Sequence, residues 1–265
     1  MSVQAVAFDL DDTLLRDDRT VSVRTVKVLR ALAEKGVLIL PASGRARRSM
    51  EGYVHTIGCA SAFIACNGAE VWDARGECLL QEALSHDDAL KVIRFLEQHG
   101  VYFHTYWEDG FYYSSYAEAA GTYAISSALS GHLCADLPGF LQSHPTAKIL
   151  CIDDPVVITR MRESAPEVFG DSVSVSTSKP NFLEITPCGT STGKALAFLA
   201  EHLGFSLAQT LAFGDSLNDL SMLRACGTSV AMGNARCEVQ AVCTFVAKTN
   251  NEDGVADFLE THVLS

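Results

Sequence analysis

The sequence predicts an α/β fold, a Rossmann-like parallel-sheet core carrying an inserted α+β module. Three observations carry that prediction. Short continuous apolar runs, such as residues 3–8 and 37–40, have strand length without alternation, as strands buried on both faces do. Helical periodicity follows them. Over residues 81–180 the texture changes to aromatic strands with their own helices, and the buried β–α rhythm then returns. The expected organisation is a core built from residues 1–80 and 181–265, with 81–180 inserted.

The elements follow in order. The run 3–8 ends abruptly in Asp9, Asp11 and Asp12, with Thr13 next. Ser22 can cap a helix on which Val26, Leu29 and Ala33 recur, and Gly36 stops it. The strand 37–40 leads at once into Ser43-Gly44-Arg45, and the run 63–66 into the turn pair Asn67-Gly68. Val71-Trp72 and 78–80 read as a hairpin. Ser85 opens an S-x-x-D capping pattern before a helix bearing Ala89, Ile93 and Leu96. Two aromatic strands, 101–106 and 111–116, join through Asp109-Gly110. Strands at 147–152 and 173–177 flank a helix near 156–164. The run 182–185 is read as the strand that reopens the core, before a helix at 193–203 stopped by Gly204. A strand at 210–213 ends in Gly214-Asp215, and a strand at 229–232 and a helix near 255–259 complete the chain.

Composition narrows the class. At 265 residues, 48% hydrophobic and 20% charged, the chain is globular, neither disordered nor membrane-spanning. Its net charge of −12 argues against a nucleic-acid partner. The start, MSVQAVAFDL, has no basic region and no long apolar stretch, so neither a signal peptide nor a membrane anchor is expected. Nine cysteines stand singly with no C-x-x-C pair, the pattern of small buried hydrophobes in a reducing cytoplasm. Oligomeric state is not legible.

The chemistry gathers at strand ends, where open parallel sheets bind ligands. Three such ends carry polar groups: Asp9-x-Asp11, Ser43-Gly44-Arg45, and Gly214-Asp215-Ser216-Leu217-Asn218-Asp219. If these strands are neighbours, Asp9, Asp11 and Asp215 converge. Carboxylates that close raise one another's pKa or demand a cation. A few carboxylates with waters and phosphate oxygens are what magnesium takes. The plainer alternative is that each Asp caps the helix after it.

FDLDDTLL resembles the first motif, D-x-D-x-T, of the haloacid dehalogenase superfamily, SGR its second and GDSLND its fourth. The stretches GVLILPASGR, NFLEITP, AMGNA and NNEDGVA are similar to its Cof-type sugar-phosphate phosphatases. The resemblance implies a phosphoric monoester hydrolase in which Asp9 is the nucleophile, forming an aspartyl-phosphate. Asp11 would be the acid and base. Mg2+ would sit on the carboxylates of Asp9 and Asp215 and the carbonyl of Asp11, with Asp219 behind it in contact with metal waters. Phosphate would be held by Ser43, the amides of Gly44 and Leu10, and Asn218. Arg45 is open between a phosphate contact and a surface charge beside Arg47 and Arg48, and Asp12 reads as a turn residue.

The third motif departs from the family's G-x-x-K-G-x-A-L. The stretch Gly189 to Leu196 places Thr192 where lysine belongs, with Lys194 two residues on. Two helical residues amount to a rotation of about 200° and a rise of about 3 Å. If the helix starts slightly later, Lys194 could reach the site, and this reading is favoured. Otherwise Lys194 is solvated and Thr192 offers only a hydroxyl. The inserted module would be the cap that selects the substrate. Its aromatic group of Tyr102, His104, Tyr106, Trp107, Tyr112 and Tyr113 is read first as sheet packing.

The expected activity is magnesium-dependent hydrolysis of a small phosphorylated metabolite, a sugar phosphate or a phosphorylated cofactor. A phosphomutase or phosphotransferase of the same superfamily, or a non-catalytic phosphometabolite-binding protein, are the alternatives.

Overall fold

A computed structural model describes residues 3–108, 110–115 and 117–264; Asp109, in the predicted turn, and Tyr116, the last residue of the second predicted aromatic strand, lie outside the described residues. β1 (Ala5–Asp9) is buried along its length and runs straight into an irregular turn, Leu10–Leu14. α1 (Val23–Glu34) starts where the Ser22 hydroxyl accepts from Thr25 N–H. β2 (Leu38–Ala42), α2 (Arg47–Ile57) and β3 (Ala62–Ala65) follow, then β4 (Glu70–Asp73) and β5 (Cys78–Gln81).

The middle of the chain forms α3 (His86–Gln98), β6 (Tyr102–Trp107), β7 (Gly110–Tyr113), α4 (Glu118–Ser127), β8 (Ser130–Leu133) and α5 (Leu137–Ser143). It continues with β9 (Ile149–Ile152), α6 (Pro155–Phe169), β10 (Val173–Ser176) and β11 (Phe182–Pro187). The last part is α7 (Thr192–Leu203), β12 (Thr210–Gly214), α8 (Leu220–Ala225), β13 (Thr228–Ala231), α9 (Cys237–Gln240), β14 (Phe245–Val246) and α10 (Gly254–Leu259).

Two compact units result. The first comprises the chain up to Gly44, Met50–Leu80, and Ser191 onward. Its eight-stranded sheet runs β14-β13-β12-β1-β2-β3-β4-β5. The pairs from β14 through to β3 are parallel, and β4 is antiparallel to β3. Phe8, Ile39, Leu40, Leu211 and Phe213 are fully buried, as the unalternating apolar runs require. Register sets Asp9 beside Ala42 and Phe8 beside Phe213, so the ends of β1, β2 and β12 lie at one level.

The second unit comprises Gln81–Thr190 together with Arg45–Ser49, where Ser49 Oγ donates to Ser127 O. Its six-stranded sheet runs β10-β11-β9-β6-β7-β8. Residues 182–185 were expected to reopen the parallel core at 181, but β11 pairs antiparallel with both β9 and β10. The crossing into the first unit comes at Ser191. An apolar strand flanked by two others looks the same whichever sheet it joins, so its apolar character could not assign it.

Return to the first unit is made through a tight helix contact. Gly193, in the first turn of α7, lies so close to α8 that an added Cβ would meet Ser221 O at 2.3 Å. Gly193→Ala is therefore expected to destabilise the protein, although alanine exceeds glycine in helix propensity by about 1 kcal/mol. Urea unfolding checks this, and a midpoint raised by the substitution would contradict the packing.

Candidate active site

Asp9 is the last residue of β1 and is buried. After it Asp11 is extended (φ −67°, ψ 129°) and Asp12 is left-handed (φ 58°). The chain therefore doubles back and returns Thr13 to the strand end. Thr13 Oγ1 donates to Asp215 Oδ1 at 2.7 Å. Asp215 follows directly on β12. The next turn, Leu217–Asp219, brings Asp219 back, and its Oδ2 accepts from both Asp215 N–H and Ser216 N–H at 3.0 Å. Carboxylate oxygens of Asp9, Asp215 and Asp219 consequently lie within 4.8 Å of one another.

That arrangement is electrostatically unfavourable by itself. Burial, then Asp219, Asp215 and Asp11, push the Asp9 carboxyl well above its ordinary value, opposed by Leu10 N–H, which donates to it. Asp215 is pushed up to about 8, mainly by burial and by Asp219, while the Thr13 hydroxyl works the other way. Hard oxygen donors in a tight, partly buried set fit a small divalent cation, and these three residues could hold one. Asp11 is partly buried and is not among the converging carboxylates.

The loop carrying Asp11 and Asp12 is anchored by two residues to which the sequence reading gave no role. Asn234 Nδ2 donates to Asp12 O at 2.7 Å, and its Oδ1 accepts from Asn250 N–H. Asn250 Nδ2 in turn donates to Leu15 O and to Asp17 Oδ1. Each asparagine sits in a stretch already noted, AMGNA and NNEDGVA, but an isolated asparagine signals only a turn. Thr13 stood in the first motif without a stated partner.

The remaining expected residues divide. Ser43 is buried just beyond β2, with its N–H on Ile64 O. Gly44 is buried three residues ahead of α2. Asn218 lies in the turn between Asp215 and Asp219, and its Oδ1 is buried without a hydrogen-bond partner. Arg45 donates to Ser49 Oγ. For the third motif, α7 begins at Thr192, because the Ser191 hydroxyl caps it by accepting from Lys194 N–H. The later start that a Lys194 contact needs is not found. Thr192 is buried and Lys194 is exposed.

Comparison with known proteins identifies the family of the chain. The haloacid dehalogenase-like hydrolase family matches residues 6–259, and the chain belongs to that family. It is 30% identical to an HMP-PP phosphatase of Klebsiella pneumoniae, over 89% of this chain and 86% of that one. It is 27% identical to the 5-amino-6-(5-phospho-D-ribitylamino)uracil phosphatase YcsE of Bacillus subtilis, over 100% of this chain and 97% of the relative. Among solved structures, TM0651 from Thermotoga maritima superposes with a TM-score of 0.85 at 31% identity, covering 98% of this chain and 97% of that one. No helix among the described residues is long and apolar enough to cross a membrane.

The raised carboxyls make a stability prediction. Unfolded, Asp9 and Asp215 ionise near their ordinary 3.8, whereas folded and without a cation Asp215 ionises at about 8 and Asp9 also well above 3.8. The folded state then holds more protons than the unfolded state between those values, so stability falls as pH rises through that window. The thermal midpoint in chelator is expected to drop between about pH 5 and about pH 8, and MgCl2 to restore more of it at the higher pH. A midpoint that rises over that interval in chelator contradicts the assignment.

Proposed function

We propose that this chain is a magnesium-dependent phosphatase that hydrolyses a small phosphorylated metabolite, a sugar phosphate or a phosphorylated cofactor, through an aspartyl-phosphate on Asp9. The observation that carries the reading is the convergence of Asp9, Asp215 and Asp219 at neighbouring strand ends. Relatives along nearly the whole chain support it, being named for phosphatase action on HMP-PP and on a phosphoribitylamino-uracil. Mg2+ held by Asp9 and Asp215 and the carbonyl of Asp11, with Asp219 behind, would offset the repulsion between these carboxylates and a phosphate dianion.

In this reading an Asp9 carboxylate oxygen attacks phosphorus and the bond from phosphorus to the ester oxygen breaks. Asp11 gives its proton to the departing alkoxide. Water then attacks the same phosphorus, Asp11 takes a proton from it, and the Asp9–phosphorus bond breaks, restoring both carboxyls. Ser43, Asn218 and the amides of Gly44 and Leu10 hold the phosphate oxygens. Thr192 takes the third-motif position with a hydroxyl, and Lys194 stands outside the chemistry. The second unit selects the substrate.

Phosphate release from p-nitrophenyl phosphate with MgCl2 tests this, alongside acid-quenched protein reduced with borohydride to convert a phosphorylated aspartate to homoserine. Turnover and homoserine at position 9 are expected, with Asp9→Asn lowering the rate by at least about a thousandfold. Homoserine elsewhere, or an active Asp9→Asn, contradicts the mechanism. Lys194→Ala is expected to retain the rate within about twofold; a loss of about a hundredfold would return the lysine to the site.

A further inference from the structure

The turn after β1 holds a conformation that its own residues do not favour. Asp12 is left-handed, a backbone region costly for a residue with a Cβ, and Asp11 before it is extended. These two adjoining torsion pairs set the direction of the Asp11 side chain. A rotation of the peptide between them would swing Asp11 and leave Asp9 on its strand. The turn therefore needs a hold from outside itself.

Asn234 supplies one. It is exposed, yet both ends of its amide are committed to backbone. Nδ2 donates to Asp12 O at 2.7 Å, and Oδ1 accepts from Asn250 N–H at 3.0 Å. Water could serve both ends of an exposed amide, so stability gains little from these bonds. The segment carrying Asn234 is fixed in its turn, because Arg236 N–H donates to Asp215 O and Gly233 N–H to Lys248 O. Asn234 thus ties the acidic turn to the backbone of Asp215, across two strand ends. Further along, Asn250 Nδ2 holds Leu15 O, Asn251 Oδ1 accepts from Asp17 N–H, and Arg16 donates to Asp253. Those bonds fix the exit of the turn, whereas Asn234 acts on the residue next to Asp11.

We propose, resting on the phosphatase reading above, that Asn234 is a positioning residue for protonation of the leaving group by Asp11. Its hold on Asp12 O keeps the left-handed turn and, through it, the placement of the Asp11 carboxyl relative to Asp9 and Asp215. As the bond from phosphorus to the ester oxygen breaks, its electron pair stays on that oxygen, which takes the proton from Asp11. A weakly acidic alcohol or phenol depends on that proton to leave. A strongly acidic phenol leaves as its anion with little help.

Phenyl phosphate and p-nitrophenyl phosphate separate these cases, since they differ in one nitro group and p-nitrophenol is much the stronger acid. The readout is the ratio of kcat/KM for phenyl phosphate to that for p-nitrophenyl phosphate, with MgCl2. Asp11→Asn, which removes the proton, is expected to lower that ratio. Asn234→Ala should lower it in the same direction, by at least about tenfold. Asn234→Leu, of similar shape and also without an amide, should do likewise and carries the test where the alanine variant does not fold. General loosening of the site lowers both rates equally, so an equal loss overturns the positioning role, and unchanged rates overturn it too. If the parent hydrolyses both esters and Asp11→Asn loses equally on both, the acid role of Asp11 falls and the positioning with it, while phosphatase activity stands. A parent that hydrolyses neither ester with MgCl2 overturns the phosphatase reading and this role together.

Discussion

Carboxylate repulsion at the ends of two neighbouring parallel strands is the constraint on which the rest of this structure depends. β1 and β12 are adjacent, so Asp9 and Asp215 must meet, and the turn after Asp215 adds Asp219. Hydrogen bonding alone does not relieve the crowding. Thr13 and Leu10 each lower one carboxyl, yet burial and mutual repulsion prevail at both Asp9 and Asp215. The fold thus keeps a costly arrangement that only protons or a cation can neutralise.

The surroundings are organised to hold that arrangement in place. The left-handed Asp12 lets the chain reverse within the acidic turn, and Asn234 fixes that turn from the far end of the chain through Asp12 O. Asn250 joins the same network through Leu15 O. A residue after β13 and one after β14 therefore stabilise the loop that follows β1. The two sheets have different characters. The first is parallel across its middle and carries the carboxylates at its strand ends. The second has one apolar face and one face with a buried ion pair and aromatic rings.

Much of this was legible in the sequence, and the parts that were not have physical reasons. Continuous apolar runs ending in polar residues identified β1, β2 and β12, because a strand covered on both faces has no polar alternation to confuse it. The acidic cluster was legible because three carboxylates within four residues at the end of a buried strand repel one another and ask for protons or a cation. β11 was misassigned because its apolar run suits either sheet. Glu184, in the middle of it, is paired with Lys148, 36 positions earlier. The start of α7 was ambiguous because Thr190, Ser191 and Thr192 are all competent caps. Tertiary packing selected Ser191, which buries Thr192 and turns Lys194 outward. The Asn234–Asn250 network was invisible, since its partners lie more than two hundred residues from the loop they hold.

The claim at the centre of this account is that the cluster holds excess protons until a cation replaces them. Calorimetric titration with MgCl2 near pH 7, in buffers of differing ionisation enthalpy, counts the protons released per ion bound. About one proton or more per ion is expected from the parent, and fewer from Asp215→Asn. Binding with no proton release in the parent, or no saturable binding at all, would contradict it.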